Sequence, residues 1–480
     1  MKQAPPAAVS RFRGSRLGLL IAVSAAAIGV IYGYDTGVVA GALLFVPRQF
    51  HLSTSETSSI ATSVAVGMIA GALVASRVAD AIGRKRAMVA IAAGYVAFAA
   101  LSGAATNLYL LDVWRFFLGV TIGLSVVTAP VFIAECSPPR IRGALIVSYQ
   151  VATVAGIMSA YFIDYGLATV GAWRWMFALS AVPAAAVGLL LLRLPDTPRW
   201  YAMKGRWDDA AQTLRRIDPD LDVDAELADI RAALRAERGG SIAEMLRPPY
   251  LRATLFVVGL GFLIQITGIN AIIYFTPLIF AKLGLTGNVS LLLVPGLIQA
   301  AALLATVAAL RIVDRVGRRI VLLSGIAAMI IANALLIAVF AAGLGGGSSV
   351  LAFLGVLLFT CGFDFGFGAL VWVYASESFP ARLRTTGASA MLTADLVGNL
   401  LIAQFFLSVL GAMGGVWTFT LFLALAAVSF GYVWWLAPET KGRPLESIRQ
   451  YWENGGRWPD DAATPPDTRR GARPAQRHAA

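Results

Sequence analysis

Apolar residues in this chain come in long runs, not in the alternating or narrow-stripe spacing of a water-soluble fold. Twelve runs reach the roughly 20 residues a helix needs to cross a bilayer: 17–46, 58–78, 87–107, 110–134, 144–168, 174–193, 252–281, 290–310, 320–342, 349–376, 386–411 and 415–437. The uncharged stretch 320–363 is too long for one crossing, and Gly343, Gly345, Gly346, Gly347, Ser348 and Ser349 supply the turn that divides it. Residues 194–251 have a different character. Asp208 to Arg238 is charged and Ala-rich, and Leu214, Ile217, Leu221, Leu227, Ile230 and Leu234 are spaced for short amphipathic helices lying at a membrane face. Residues 438–480 read as a tail, disordered from about 455, where apolar periodicity is gone.

Composition sharpens this. The 480 residues are 58% hydrophobic and 14% charged, with mean hydropathy +0.73, whereas a soluble chain carries about 25% charged residues. A soluble enzyme and a disordered chain are both excluded, because the apolar excess has to face lipid. The net charge of +12 would suggest nucleic acid in a soluble protein, but here the cations sit in short clusters between apolar runs, so no nucleic acid is expected. Arg84, Lys85, Arg86, Arg140, Arg142, Arg315, Arg318, Arg319, Arg382 and Arg384 fall on one side, against Arg48, Arg174 and Lys282 on the other. The positive-inside rule then puts both termini in the cytoplasm. Arg11, Arg13 and Arg16 precede an apolar run that continues past residue 40 with no small-residue cleavage pattern, which reads as a first membrane helix. Cys136 and Cys361 give no disulfide framework, and His51 and His478 are too few for a metal cluster. No Walker motif and no nucleophile–base pair occurs, so neither a cofactor, ATP use nor enzymatic activity is expected.

The chain repeats itself. DAIGRKR at Asp80–Arg86 returns as DRVGRR at Asp314–Arg319, ECSPPRIRG at Glu135–Gly143 as ESFPARLRTTG at Glu377–Gly387, and PDTPR at Pro195–Arg199 as PETKG at Pro438–Gly442. The three offsets are nearly equal. The expected organisation is a cytoplasmic segment 1–16, a six-helix bundle 17–193, a cytoplasmic linker 194–251, a second bundle 252–437 and the tail 438–480. Parallel halves with a site between them at mid-membrane are an alternating-access architecture.

Together with GYDTGVVAG at Gly33–Gly41, PVFIAECSPPRIRG and ITGIN, these motifs make the chain resemble the sugar porter family of the major facilitator superfamily from about residue 17 to 445. The resemblance implies an all-α membrane protein of twelve helices in two halves, importing a sugar or polyol with protons across the cell membrane as a monomer. A uniporter of the same fold and a transport-dead sugar receptor are the rival readings.

An ionisable residue in hydrocarbon costs at least about 2.5–3.5 kcal/mol, so each one needs a reason. Asp35 lies 18 residues after Leu17 and Arg115 near the outer end of the fourth helix, so the two match in depth and can pair. Asp112 and Asp164, nearer helix ends, read as plugs of helix contacts. Asp364, Gly368 and Trp372 share one face at i, i+4, i+8, as do Asp395 and Asn399, and Asn270 and Tyr274. Gln265 stands about 140° from Asn270 on an ideal helix, so both line one cavity only if the helix unwinds near Thr267–Gly268. Gln150 opens the polar face of the fifth helix. The resemblance implies that Asp35 and Arg115 couple the proton. It likewise implies that Gln150, Gln265, Asn270, Trp372 and Asn399 contact sugar, with Tyr32 and Tyr274 as aromatic lining and Asp364 matching a family glutamate. The family's paired Gln reads Ile264–Gln265, its eighth-helix Asn aligns with Ala302 (Gln299 one turn earlier), and Asp395 replaces an amide. Asp80, Arg84, Glu135, Arg142, Asp314, Arg318, Glu377 and Arg384 are expected to latch the halves together on the cytoplasmic side.

Overall fold

The computed structural model describes residues 16–137, 142–219, 221–236, 242–343 and 348–458. The expected tail end, the N-terminal segment, Arg140 and the turn glycines 345–347 lie outside the described residues, as does the side chain of Arg142. The described residues are almost wholly helical. The membrane helices are α1 (Arg16–Ala42), α2 (Thr54–Ile82), α3 (Arg84–Gly103), α4 (Leu108–Cys136), α5 (Arg142–Ala168) and α6 (Trp173–Leu192) in the first half. The second half holds α7 (Leu251–Lys282), α8 (Val289–Val316), α9 (Arg318–Ala342) and α10 (Ser349–Glu377). The last continuous helix, Ala381–Leu436, breaks at Gly414 (φ +74°) into α11 (381–413) and α12 (415–436), which completes the twelve crossings.

The elements form where their end signals fall. Ser53 and Glu56 make a capping box at the start of α2, the Ser53 amide donating to Glu56 Oε2 at 2.8 Å. Asn107 caps α4 by accepting from the Leu110 amide at 2.9 Å. Lipid gives no hydrophobic push between helices, so close backbone packing has to hold them together. Gly29, Gly33 and Gly37 of α1 stand so close to α5 that an added Cβ would lie 1.9–2.8 Å from its carbonyl oxygens. Gly67 and Gly71 of α2 meet α4 in the same way, 2.1 Å from the carbonyls of Phe116 and Val120.

Between the halves run the helices Pro198–Met203, Trp207–Ile217, Val223–Ala236 and Ile242–Met245. Leu214 and Ile217 are buried, while Leu221, Leu227, Ile230 and Leu234 are half-buried, as an amphipathic surface helix requires. A helix that the apolar runs did not announce, Leu445–Glu453, packs Ile448, Tyr451 and Trp452 inward, with Trp452 stacked 5.4 Å from Phe256 at the start of α7.

The halves join at the end of the bundle opposite this connecting segment. There a continuous apolar core runs from Val38, Leu43 and Trp173 to Phe275, Leu283 and Phe359, and Tyr161 donates to the Ile273 carbonyl at 2.7 Å. At the connecting-segment end the first half has its own core, with Ile21, Met88, Phe132, Cys136 and Leu191. Among its buried members the second half contributes only Leu392 and Leu396 of α11.

Candidate functional site

Asp35 on α1 and Arg115 on α4 meet as the sequence depth suggested. Arg115 Nη1 donates to Asp35 Oδ1 at 2.6 Å, with the two residues 1% and 3% exposed. The Phe177 ring lies 4.9 Å from the guanidinium carbon, a cation–π contact that partly replaces lost hydration. A buried pair like this gains little net stability, but removing one partner strands a charge at a cost of about 3–5 kcal/mol. Asp35 and Arg115 also border a small cavity with Tyr32, Thr36, Met68 and Tyr274.

Tyr32, Thr36 and Met68 face a second, larger cavity of about 120 Å³ between the halves as well. Its polar lining comes from Tyr32, Thr36, Tyr149, Gln150 and Thr153 of the first half and from Gln265, Asn270, Gln299, Asp364 and Asp395 of the second, with Gly368 and Trp372. α7 is broken at Thr267–Gly268 (Gly268 φ +103°), a left-handed position that glycine tolerates without strain. The break cancels the angular offset, and Asn270 Nδ2 donates to Gln265 Oε1 at 2.8 Å. Gln265 also reaches the Asp395 carboxylate.

On α10 the spacing predicted a regular helix; the structure has a π-helical turn over Asp364–Gly368. The turn sits where Gly325 of α9 presses against the backbone of Gly362 and Gly366, and π-turns commonly mark functional positions. Gly368 leaves room beside both halves. A Cβ there would be 3.1 Å from Asp364 Oδ1 and 3.7 Å from Gln150 Nε2. Trp372, one turn toward the connecting-segment end, is 41% exposed, so the cavity opens on that side.

Two expected contacts stand elsewhere. Asn399 is buried and does not line the central cavity; the Tyr274 hydroxyl donates to its Oδ1 at 3.5 Å. Tyr274 itself borders the smaller cavity with Asp35. Shared face predicts direction around a helix axis, not depth along it, which is why both were grouped with the central cavity. Tyr149, Thr153 and Phe363 line that cavity without having been singled out; Tyr149 and Thr153 are the neighbours of Gln150 at i−1 and i+3, so the polar face of α5 held the signal. Asp112 accepts from Ser59 Oγ at 2.7 Å, and Asp164 is fully buried against Gly41, both at helix contacts.

The charged clusters pair within their own halves. Arg84 bridges Asp80 (2.8 Å) and Glu135 (3.2 Å), and Arg318 bridges Asp314 (3.2 Å) and Glu377 (3.9 Å). Arg384 forms no ion pair with a described residue. No ion pair among the described residues crosses between halves. Among the described side chains the expected inter-half latch is therefore not made in this conformation, because this is the end at which the halves part.

The repeated PDT and PET motifs have a role that their recurrence alone did not reveal. Asp196 Oδ1 accepts from the Lys85 amide at 3.2 Å, and Glu439 accepts from the Arg318 and Arg319 amides at 3.0 and 3.1 Å. Each carboxylate thus caps the third helix of its own half, where a helix N-terminus attracts an anion. Gly83 and Gly317 make space for it, since a Cβ would lie 2.2 Å from Asp196 Oδ2 and 2.4 Å from Glu439 Oε2.

Comparison with known proteins agrees with this architecture. Residues 21–452 match the family described as sugar (and other) transporter. The galactose-proton symporter of Escherichia coli (strain K12) is 32% identical over 428 residues, covering 89% of this chain and 92% of that protein. The arabinose-proton symporter of the same organism is 31% identical over 440 residues, covering 91% and 93%. The partially occluded inward-open structure of the xylose transporter XylE from E. coli superposes with a TM-score of 0.78 over 90% of this chain and 100% of that one, at 23% identity. The repeats, the twelve helices in two halves and the family match lead to one assignment: the chain belongs to the sugar porter family of the major facilitator superfamily.

Proposed function

We propose that this protein is a secondary active transporter that imports a sugar or polyol together with protons by alternating access. The observation that carries the reading is the buried Asp35–Arg115 pair at 2.6 Å, separated from an amide-lined cavity only by Tyr32, Thr36 and Met68. Relatives that move galactose and arabinose with protons support it. The protein works as a monomer in the cell membrane, with both termini and the 194–251 linker cytoplasmic, and it carries out no enzymatic reaction.

The chemistry follows from the groups present. Sugars offer hydroxyls all round and an apolar CH face; Gln150, Gln265 and Asn270 can donate and accept toward the hydroxyls, and the Trp372 indole can stack on the CH face. Asp364 and Asp395 add acceptors that set which hydroxyl pattern fits. Protonation of Asp35 cancels its attraction to Arg115, loosening α1 from α4. Tyr32 and Thr36 then carry that change to the sugar cavity. Asp80, Arg84, Glu135, Arg142, Asp314, Arg318, Glu377 and Arg384 close the cytoplasmic side when the opposite side opens. A uniporter would have no use for the buried exchangeable pair.

The test is proton movement on sugar addition. Lightly buffered proteoliposomes exposed to a panel of pentoses, hexoses, inositols and aminosugars should alkalinise the outside for the transported compound. Equilibrating uptake with no pH change would leave the uniporter instead.

A further inference from the structure

A cavity of about 1250 Å³, far larger than the central one, lies away from the site, on the bundle's flank at the connecting-segment end. It is a groove along the seam between halves. It is lined by Leu73 of α2, Leu255 and Val258 of α7, Ala390 of α11 and Trp435 of α12. Leu73, Leu255 and Trp435 are 61%, 59% and 77% exposed, so the protein itself leaves this apolar surface uncovered.

A cation is part of the lining. Arg252, in the first turn of α7, lines it and donates to the Gly455 carbonyl, a neutral partner, while its Nε is buried without one. The acids nearby are engaged elsewhere. Glu453 accepts from the Tyr250 hydroxyl at 3.1 Å and pairs with Arg449 at 3.3 Å, and Glu244 pairs with Arg382. No carboxylate of a described residue pairs with Arg252. Arg247, exposed in the turn that leads into α7, adds a second positive charge five residues before Arg252.

We propose that this groove is a binding site for one anionic phospholipid, its acyl chain lying along the α2/α11 seam and its phosphate on Arg252. An apolar slot open to the flank of a membrane protein takes an alkyl chain, and a cation at the level where the helices emerge takes the headgroup charge. Trp435 at the rim has the indole placement common at the membrane–water boundary. The site is separate from the sugar cavity and rests only on the membrane-spanning fold. The proposed orientation serves merely to name the leaflet, the cytoplasmic one. Because the slot is walled by both halves, its width changes as they rock, so the lipid favours the conformation described above.

Native mass spectrometry of the purified full chain, offered phosphatidylglycerol or phosphatidylethanolamine with identical acyl chains, reads this directly. The wild type should prefer phosphatidylglycerol by about fivefold, the contribution of one arginine near an anionic surface. Arg252→Gln should abolish the preference and Arg252→Lys restore it. Leu255→Trp, which fills the slot without touching the charge, should reduce adducts of both lipids. Equal binding of the two lipids, a preference kept by Arg252→Gln, unchanged adducts in Leu255→Trp, or displacement of the lipid by inorganic phosphate would each overturn the proposal.

Discussion

Replacing Asp35 by Asn isolates the coupling step. The amide has the size of the carboxylate and still offers Arg115 Nη1 an oxygen at the 2.6 Å contact, but it can neither take up nor release a proton. On the proposed coupling the buried pair exchanges one proton, so the wild type should move one per sugar. A driving force of 100 mV is worth about 2.3 kcal/mol per charge, and at about 1.4 kcal/mol per tenfold this sustains roughly 40-fold accumulation. Asp35→Asn should lose that accumulation and stop at equilibration, while keeping sugar binding and sugar-for-sugar exchange. Neither process requires proton release. Arg115→Ala should lose accumulation too, because the unpaired buried Asp35 keeps its proton and releases it slowly. The assay is uptake of labelled sugar into proteoliposomes with an imposed inward proton gradient, run beside counterflow and binding in detergent. Wild-type accumulation by Asp35→Asn would refute the reasoning and move the proton to Asp364 or Asp395.

Trp372→Ala should weaken sugar binding by about 1–3 kcal/mol, the loss expected when a large apolar platform is removed; unchanged affinity in calorimetry would remove the indole from the site. Asp395→Asn should reorder the sugars accepted in a competition panel, because a charged acceptor selects differently from an amide; a uniform loss for every sugar would make the residue structural. Gly268→Ala forces a Cβ into the φ +103° turn, 3.0 Å from the Phe422 ring, a strain of about 1–3 kcal/mol. It should also misplace Gln265 and Asn270, so sugar affinity should fall while the fold still melts cooperatively; wild-type affinity would contradict the role of the break.

The twelve crossings were legible because bilayer thickness demands long apolar runs, and nothing shorter imitates them. The unwinding of α7 was legible too, since Gln265 and Asn270 cannot face one cavity on an unbroken helix. The helix Leu445–Glu453 was not. It is nine residues long, and what makes its apolar face useful is Phe256, nearly 200 residues away, which no local pattern records. The caps by Asp196 and Glu439 were visible as a repeat but not as a contact, for the same reason. That Asn399 lies off the central cavity was not legible, because helical spacing fixes an angle and leaves the distance along the axis open.

The glycine-lined seam between α1 and α5 has a mechanical consequence. Where backbone rests on backbone there are no side-chain rotamers to yield, so the seam transmits force like a weld. α7 and α10, by contrast, are interrupted by Thr267–Gly268 and by the π-turn at Asp364–Gly368. The two halves share an architecture but differ in compliance: the stiff one holds the Asp35–Arg115 pair, and the pliant one supplies both carboxylates of the central cavity. In such a machine the stiff half serves as the anvil. On the proposed coupling, α1 loosened from α4 stays welded to α5, so the displacement passes to the softer side and turns the binding of a proton into movement at the sugar.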